Sequence, residues 1–261
     1  MKVIHWNISW GSHKEKILEH IMEVIDCTGT IVCLQEVLPS VESFIRTELC
    51  AVGYKFIYSL DYRVPGKYDS RTRKLGVLII ISPDIELEEG GVLMRTPFPD
   101  RTAYVVFRYW GETYKLVSLH SVAGVNFKRG KSVQFDSFAE AIEDIQPDLV
   151  TVDANEPKVD HYEVKQMEFF DNLDKGAGAR HFFKTLVSSG LADAYALVYD
   201  KRDYVPGEPL TTSHIVARGG PRRYDFIFVN DKRFHLKGCE YHYQDALKAS
   251  SDHAYIVAEL L

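Results

Sequence analysis

Short apolar runs that end in a polar group recur along the chain, and they predict buried strands. Residues 2 to 8 read as a buried strand, and residues 31 to 34 are a continuous apolar run, which is typical of a strand covered on both faces. Between them, Ser12 and Glu15 have the spacing of a capping box ahead of apolar residues at helical spacing. The chain therefore opens as strand, helix and strand, and a second helix is predicted at about residues 40 to 50.

The pattern then changes to strands in series. Strands are predicted at residues 55–59, 75–82, 85–93, 102–109, 114–120, 148–152, 224–229, 234–241 and 255–261. Trp110-Gly111-Glu112 predicts a hairpin turn, a helix is predicted to stop at Pro147, and residues 161–189 are predicted to be largely helical. Each half of the chain supplies helices and a group of strands, which predicts two sheets packed together with helices outside.

Composition excludes several classes of protein. With 46% hydrophobic residues among 261, the chain has ample material for one large domain or two small ones. The four cysteines, Cys27, Cys33, Cys50 and Cys239, lie far apart, so we expect buried thiols rather than a zinc site or disulfides. No leader-like segment or long apolar run is evident. We therefore expect a soluble, cytoplasmic monomer that does not bind membranes.

The distribution of charge is more informative than its sum. A net charge of −6 does not indicate a nucleic-acid-binding protein, but basic residues cluster at positions 63–74, 128–131 and 218–223. A surplus of acids is also what a divalent-metal site contributes. A basic substrate-binding surface and an acidic metal site are therefore compatible on this chain.

Polar side chains mark the ends of the predicted strands, where a side chain lies at the rim of a sheet. Singly, most of them have an ordinary alternative as turn or rim residues. Asp225 is the exception, because a carboxylate between Tyr224 and Phe226 is costly to bury without a partner. The strand-end residues are Asn7, Glu36, His120, Asp153, Asn155, Asp225, Asp252 and His253.

Six segments in this order resemble the endonuclease/exonuclease/phosphatase superfamily, which includes pancreatic deoxyribonuclease, abasic-site endonucleases and inositol polyphosphate 5-phosphatases. The resemblance spans nearly the full length and implies a single domain over residues 1–261. The implied fold is a four-layered α/β sandwich, with two mixed β-sheets packed face to face and helices outside (DNase I-like). The segments are Trp6-Asn7, Leu34-Gln35-Glu36-Val37, Leu119-His120-Ser121, Val152-Asp153-Ala154-Asn155, Tyr224-Asp225-Phe226-Ile227 and Ser251-Asp252-His253.

The resemblance implies a metal site. Glu36 would be the main ligand of Mg²⁺ (or Mn²⁺), with Asn7 and Asp252 nearby. Such a cation prefers hard oxygen ligands and keeps several waters in its shell. The implied reaction is in-line displacement at phosphorus, with the metal stabilising charge on the phosphate oxygens.

The resemblance also implies the catalytic residues. His253, held by Asp225, would hydrogen-bond the scissile phosphate or transfer a proton. Asp153 would orient or deprotonate the attacking water, and Asn155 would donate to the transition state. His120 matches the second histidine of the deoxyribonuclease branch. That branch pairs it with a glutamate just before the strand predicted at 75–82, where this chain has Arg-Thr-Arg-Lys, so its partner here is left open.

The resemblance leaves the substrate open. Arg101 is similar to a structural or phosphate-contacting arginine, and His214, Arg222 and Arg223 lie where relatives contact substrate. The favoured interpretation is a Mg²⁺-dependent phosphodiesterase, a nuclease acting on DNA or RNA. One alternative is a metal-dependent phosphomonoesterase of a small or lipid-borne phosphate, resembling the inositol phosphatases. The other is a catalytically inactive binding module that uses the same groove.

Overall fold

A computed structural model describes residues 1–25, 28–62, 74–170 and 177–261. The strands are β1 (Lys2–Asn7), β2 (Thr30–Val37), β3 (Lys55–Tyr58), β4 (Gly76–Ile81), β5 (Glu86–Gly91), β6 (Thr102–Tyr109), β7 (Glu112–His120), β8 (Leu149–Asp153), β9 (Leu191–Asp193), β10 (His214–Val216), β11 (Gly220–Arg222), β12 (Asp225–Asn230), β13 (Leu236–His242) and β14 (Tyr255–Leu260). The helices are α1 (Lys14–Val24), α2 (Pro39–Cys50), α3 (Gly124–Phe127), α4 (Arg129–Ile145), α5 (Gly178–Ser188), α6 (Ala194–Val198) and α7 (Tyr243–Lys248).

The strands form two six-stranded sheets and a small hairpin. The first sheet has the order β13-β14-β1-β2-β4-β3, the second has the order β5-β6-β7-β8-β12-β9, and β10 pairs with β11. Both sheets are mixed, because β1 and β2 run parallel in the first and β7 and β8 run parallel in the second. The predicted α/β sandwich is confirmed. The two sheets do not correspond to the two halves of the chain, however. Strands β13 and β14 come from the C-terminal half but belong to the first sheet.

Three apolar clusters hold the layers together. The cluster between the sheets includes Val3 and Phe107, both fully buried. A second cluster, which includes Ile17, packs α1 and α2 on the outer face of the first sheet. A third packs α4 and α5 on the outer face of the second sheet, with Phe138 and Phe182 in edge-on contact. The order of layers is therefore helix, sheet, sheet, helix.

Strand direction brings strand ends of both sheets together at one end of the sandwich, which is called here the site edge. The parallel strands β1 and β2 both finish at this edge, and so do β7 and β8. In the second sheet, the register of the strands aligns His120 with Asp153 and Asp153 with Asp225. The antiparallel strands β12 and β14 begin at this edge, so Asp225 and His253 join it from the other chain direction.

Two local predictions are confirmed and one is wrong. The β6–β7 hairpin turns at Trp110 and Gly111, which have φ values of 54° and 80°, as two-residue hairpins favour. Helix α2 lies where it was predicted. The capping box at Ser12 is wrong, because α1 begins after His13 and no side chain caps its first turn.

The helix predicted at residues 161–189 is also largely wrong. A regular helix covers only Gly178–Ser188, and residues 161–170 contain no more than one short turn. Tertiary contacts fix the earlier part, because the His161 ring packs against Tyr162 and Tyr204. Such contacts override the helical periodicity of the segment.

Cys33 and Cys239 are buried thiols as predicted, whereas Cys50 is exposed and Cys27 lies outside the described residues. The basic segment at 63–74 also lies outside them, except for Lys74. Within the described ranges, every helix is too short or too polar to cross a lipid bilayer.

Candidate active site

Hydrogen bonds between the sheets bring the strand ends together. Asn7 at the end of β1 donates from Nδ2 to Asp153 Oδ2 at 2.8 Å. The His5 and His253 rings both reach Asp225 in the second sheet, His5 Nε2 at 3.1 Å from Oδ1 and His253 Nδ1 at 2.8 Å from Oδ2. The residues that the sequence places at opposite ends of the chain therefore form one site.

Asp225 and His253 form a buried ion pair. Burial alone raises the pKa of Asp225, but His253 and then His5 outweigh it and hold this pKa below its usual range. Burial lowers the pKa of His253, but Asp225 and Asp153 overcome this effect and raise the pKa to about 10. At neutral pH the imidazole is therefore protonated, and its second ring N–H is a donor suited to a phosphate oxygen.

Glu36 and Asp153 are crowded carboxylates. Burial, followed by the charge of Asp153, raises the pKa of Glu36 to about 7. Burial and the charge of Asp225 also raise the pKa of Asp153. Glu36 has a φ of 58° at an irregular step of β2, a conformation that costs a side-chain-bearing residue about 1–3 kcal/mol. This crowding of negative charge is what a bound cation would relieve.

The donors around Glu36 fit a hard divalent cation. Asn7 Oδ1 accepts from the Ser9 amide at 3.0 Å and keeps a second lone pair. The Asp252 side chain is 61% exposed and accepts a hydrogen bond from the Ser9 hydroxyl. Carboxylate and amide oxygens of this kind are the ligands that Mg²⁺ and Mn²⁺ prefer.

Two other groups of potential ligands fit a cation less well. His214, Asp252 and His253 form one, and Asp153, Asp225 and His253 form the other, with ligand atoms within 4.8 Å of one another. Both groups depend on His253. The His253 Nδ1 is already bonded to Asp225 Oδ2 at 2.8 Å, and the His214 ring stacks on the face of the imidazole. The oxygen donors beside Glu36 are therefore the better candidate site.

His120 is a buried, neutral histidine. Burial and then the Arg101 charge lower its pKa well below the ordinary value. Arg101 Nη1 lies 2.9 Å from Nδ1 and 3.0 Å from Nε2, so the guanidinium donates to the lone pair of the ring. His120 Nε2 also lies 3.6 Å from Glu36 and 3.5 Å from Asp153. Among the described residues, Arg101, Glu36 and Asp153 are therefore charged neighbours of the His120 ring.

Asn155 lies in a turn that a buried lysine supports. Its amide donates to Asp153 Oδ1 at 3.1 Å, and its side chain donates to the Ser121 carbonyl at 3.3 Å. Lys131 Nζ donates to the Asn155 carbonyl at 2.9 Å and to Glu156 at 2.6 Å. Lys131 therefore has a structural role, although it belongs to a basic segment that we expected to contact substrate.

The hairpin β10–β11 covers His253. The His214 ring stacks on the His253 ring with centroids 4.5 Å apart, and its Nδ1 lies 3.0 Å from the Asp252 carbonyl oxygen. Arg222 pairs with His214 across the hairpin and is half-buried. His214 and Arg222 therefore lie beside the catalytic candidates, as the sequence led us to expect.

Arg223 occupies a different environment from Arg222. Its guanidinium is fully buried and donates to Asp160 at 2.8 and 2.9 Å and to Asp193 at 2.7 Å. Because these carboxylates engage the guanidinium away from solvent, Arg223 has little surface to offer a substrate. Its predicted substrate-binding role is corrected to a structural one.

His5 is a site residue that the sequence analysis missed. It is fully buried and bonds Asp225 from the first sheet. It stands two residues before Asn7, so the two side chains lie on the same face of β1. This period of two is the signal that would have identified it, but a histidine inside a strand predicted to be buried is equally compatible with the ordinary core.

Comparisons with known proteins support the fold. No protein-family model and no curated protein matches the chain at a significant level. Among solved structures, the 3′ phosphatase NExo from Neisseria, bound to product DNA hairpin, has a TM-score of 0.67 at 17% identity, covering 100% of this chain and 99% of that one. An AP endonuclease from Archaeoglobus fulgidus has a TM-score of 0.67 at 16% identity, with coverage of 100% and 99%.

A third solved structure carries the family description itself. An endonuclease/exonuclease/phosphatase from Bacteroides vulgatus has a TM-score of 0.63 at 20% identity, covering 100% of this chain and 98% of that one. All three align over the whole chain. The chain therefore has the endonuclease/exonuclease/phosphatase fold that its sequence resembles.

Proposed function

We propose that this chain is a metal-dependent phosphodiesterase that hydrolyses nucleic acid, with Mg²⁺ or Mn²⁺ as cofactor. The observation that carries the proposal is the ion pair of Asp225 and His253 beside the crowded carboxylates Glu36 and Asp153. A fixed cationic donor and an oxygen site for a metal ion converge there. In-line displacement at phosphorus needs both kinds of charge stabilisation.

Each side chain has a separate role in this proposal. Asp153 accepts a proton from the attacking water, because its raised pKa makes it a better base than an ordinary aspartate. Asn155 donates to a phosphate oxygen, and His253 donates to the phosphate or to the leaving oxygen. Burial and the Arg101 charge keep His120 neutral. Because Arg101 donates to the lone pair of the ring, the remaining ring N–H can donate a hydrogen bond to a phosphate oxygen.

The proposed metal ligands are Glu36, Asn7 and Asp252. A bound cation would neutralise charge on the phosphate oxygens and favour ionisation of water. The fold of the chain fixes where these three side-chain oxygens lie. Ser9 connects two of them, because its amide bonds Asn7 and its hydroxyl bonds Asp252.

The surface around the site supports nucleic acid as the substrate. Lys128, Arg129 and Arg218 are exposed, and Arg222 is half-buried beside His214. Cations spread around a cleft contact successive phosphates of a strand and make binding sensitive to salt. The similar Neisseria structure contains DNA, which favours the same substrate class for this chain. The cytoplasmic location and monomeric state stay predictions from sequence.

A substrate panel tests the proposal. Single- and double-stranded DNA, RNA, abasic-site DNA, bis-p-nitrophenyl phosphate, 3′-phosphorylated DNA and inositol phosphates would be assayed with Mg²⁺ and with Mn²⁺. We expect cleavage of diesters in nucleic acid. Release of phosphate from monoesters alone would favour the phosphatase alternative, and binding without turnover of any substrate would favour the inactive binding module.

A further inference from the structure

A turn directly after β1 holds an exposed tryptophan at the rim of the site. Ser9, Trp10 and Gly11 have φ values of 46°, 71° and 67°, in the left-handed region. This region is rare for residues with bulky side chains. Trp10 nevertheless has this conformation, and its side chain is 55% exposed to solvent. The residue therefore combines a strained backbone with an exposed apolar ring.

Hydrogen bonds fix this turn to the strand ends that form the site. The Ile8 amide donates to the Gln35 carbonyl at 3.1 Å, one residue before Glu36. The Ser9 amide and hydroxyl bind Asn7 and Asp252. The segment that carries Trp10 is therefore bonded to Asn7, to Asp252 and to the residue before Glu36, so the backbone of Trp10 is held next to the proposed metal site.

Core packing does not account for the position of the ring. Within the described parts of the chain, the Trp10 ring makes no aromatic or cation contact, whereas Trp6, four residues earlier, is buried and packs on Tyr255. Strained backbone persists where the surrounding structure enforces it, and such positions concentrate at functional sites. An exposed indole on a strained turn that is anchored to the proposed site has the properties of a binding surface for a flat ring.

We propose that Trp10 is a stacking platform for a nucleobase next to the scissile phosphate. The proposal rests on the proposed phosphodiesterase function and narrows its substrate to nucleotides. Stacking of a base on an aromatic side chain contributes about 1–3 kcal/mol and tolerates any base sequence. An inositol ring has no π-face, so base stacking would not contribute to the binding of inositol phosphates.

Trp110 provides a matched control within the same chain. It is 52% exposed and also has a positive φ, of 54°. It lies in the β6–β7 hairpin, at the opposite end of β7 from His120. The nine residues of β7 separate it from the site by about 30 Å.

Fluorescence of the metal-free protein tests the platform without any turnover. In Trp110→Phe, Trp10 is the exposed indole, since Trp6 is 1% exposed. We expect a single-stranded oligothymidylate to quench this emission, and an abasic strand of equal length to bind with much less quenching. Anisotropy of a dye-labelled strand would measure binding independently. Equal quenching by the two strands, or binding of oligothymidylate without quenching, would overturn the platform.

Affinity measurements with substitutions complete the test. Trp10→Ala should weaken oligothymidylate binding about tenfold, which corresponds to about 1.4 kcal/mol, and Trp10→Phe should restore most of the affinity. Trp110→Ala should bind as the wild type does. If Trp10→Ala weakened the binding of the abasic strand by the same factor, base stacking would be excluded. The proposed phosphodiesterase function would not be affected by that result. Absence of all nucleic-acid binding and cleavage by the wild type would instead remove the phosphodiesterase proposal itself.

Discussion

The Asp225 carboxylate is shared by two histidines, and this sharing determines the charge state of the site. His253 bonds one oxygen and His5 the other, and all three side chains are buried. Hydrogen bonds to a carboxylate stabilise its ionised form, and the carboxylate in turn stabilises a protonated imidazole. Asp225 therefore keeps the His253 ring protonated, although burial alone would favour the neutral ring.

The stability of the protein should depend on pH through His253. Its pKa rises from 6.5 to about 10 on folding. The stabilisation it provides is therefore complete below pH 6.5 and is lost as the pH rises towards 10. Between these limits the folded state holds one more proton, so this group lowers the free energy of unfolding by about 1.4 kcal/mol per pH unit.

Urea unfolding of the wild type and His253→Gln between pH 6 and pH 10 measures this effect. We expect the difference in unfolding free energy to be largest near pH 6 and to shrink as the pH rises. A difference that stays constant over this range would contradict the ion pair.

His5 should act on the site through Asp225. His5→Phe leaves a buried oxygen of Asp225 without its donor, which should cost about 1–3 kcal/mol of stability. The alkaline limb of the pH–rate profile should shift to higher pH, because an Asp225 carboxylate that no longer shares its charge with His5 would hold the His253 proton more firmly. His235 is exposed, so His235→Phe is a control expected to change stability by less than about 0.5 kcal/mol. An unchanged pH profile in His5→Phe would limit His5 to packing.

At the residue scale, sequence identifies groups whose chemistry conflicts with their surroundings. Asp225 was identifiable because a carboxylate between aromatic residues needs a partner. His5 was not, because a histidine within an apolar strand is compatible with the ordinary core. Arg222 and Arg223 were indistinguishable in sequence, since the partners of Arg223, Asp160 and Asp193, lie 63 and 30 residues away along the chain.

At the scale of elements, the segment from β11 to β12 gives two consecutive arginines opposite roles. Arg222 lies in the hairpin that covers His253, and Arg223 enters the interior between Asp160 and Asp193. Breaking a buried ion pair by removing one partner leaves uncompensated charge, which typically costs 3–5 kcal/mol. This network fixes the loops at residues 160 and 193 against the second sheet.

The two arginines should therefore respond differently to the same substitution. Arg223→Met should lower the free energy of unfolding by about 3–5 kcal/mol. Arg222→Met should change it little and should instead weaken substrate binding. Urea unfolding of both variants at the same pH measures the contrast, and similar losses of stability in both would contradict it.

Elements with strong local signals were predicted best. Helix α2, the β6–β7 hairpin and the long strands of both sheets follow from periodicity and turn chemistry. Residues 161–170 and the hairpin β10–β11 did not, because contacts distant in sequence determine them. His161 against Tyr204 and the bridge between His214 and His253 are examples. The candidate site was predictable because it lies at the ends of regular strands.

At the scale of the whole molecule, the two ends of the chain meet in the first sheet. β14 pairs with β1, and the Met1 ammonium bonds the Leu260 carbonyl at 2.6 Å. The single domain over residues 1–261 stays a prediction from sequence. The site lies across both sheets, with Asn7 and Glu36 from one and Asp153 and Asp225 from the other. Its geometry therefore depends on the packing of the entire sandwich.

Cation binding should consequently stabilise the global fold. A ligand that binds only the folded state adds about 2.7 kcal/mol at a hundred times its dissociation constant. We expect Mg²⁺ or Mn²⁺ to raise the melting temperature of the wild type, and the rise to be much smaller in Glu36→Gln. Glu19 is a matched control on the exposed face of α1, and Glu19→Gln should keep the full response. Equal shifts in all three proteins would assign the stabilisation to another cation site.

The most direct measurement of the proposed chemistry is the rate of hydrolysis of a single-stranded DNA oligonucleotide as the Mg²⁺ concentration is varied. The wild type should show saturable, EDTA-sensitive cleavage. Glu36→Gln should need far more metal, and His253→Gln should lose at least about a hundredfold in kcat at saturating metal. Cleavage that persists in EDTA, or wild-type rates in both variants, would contradict the assignment of this site.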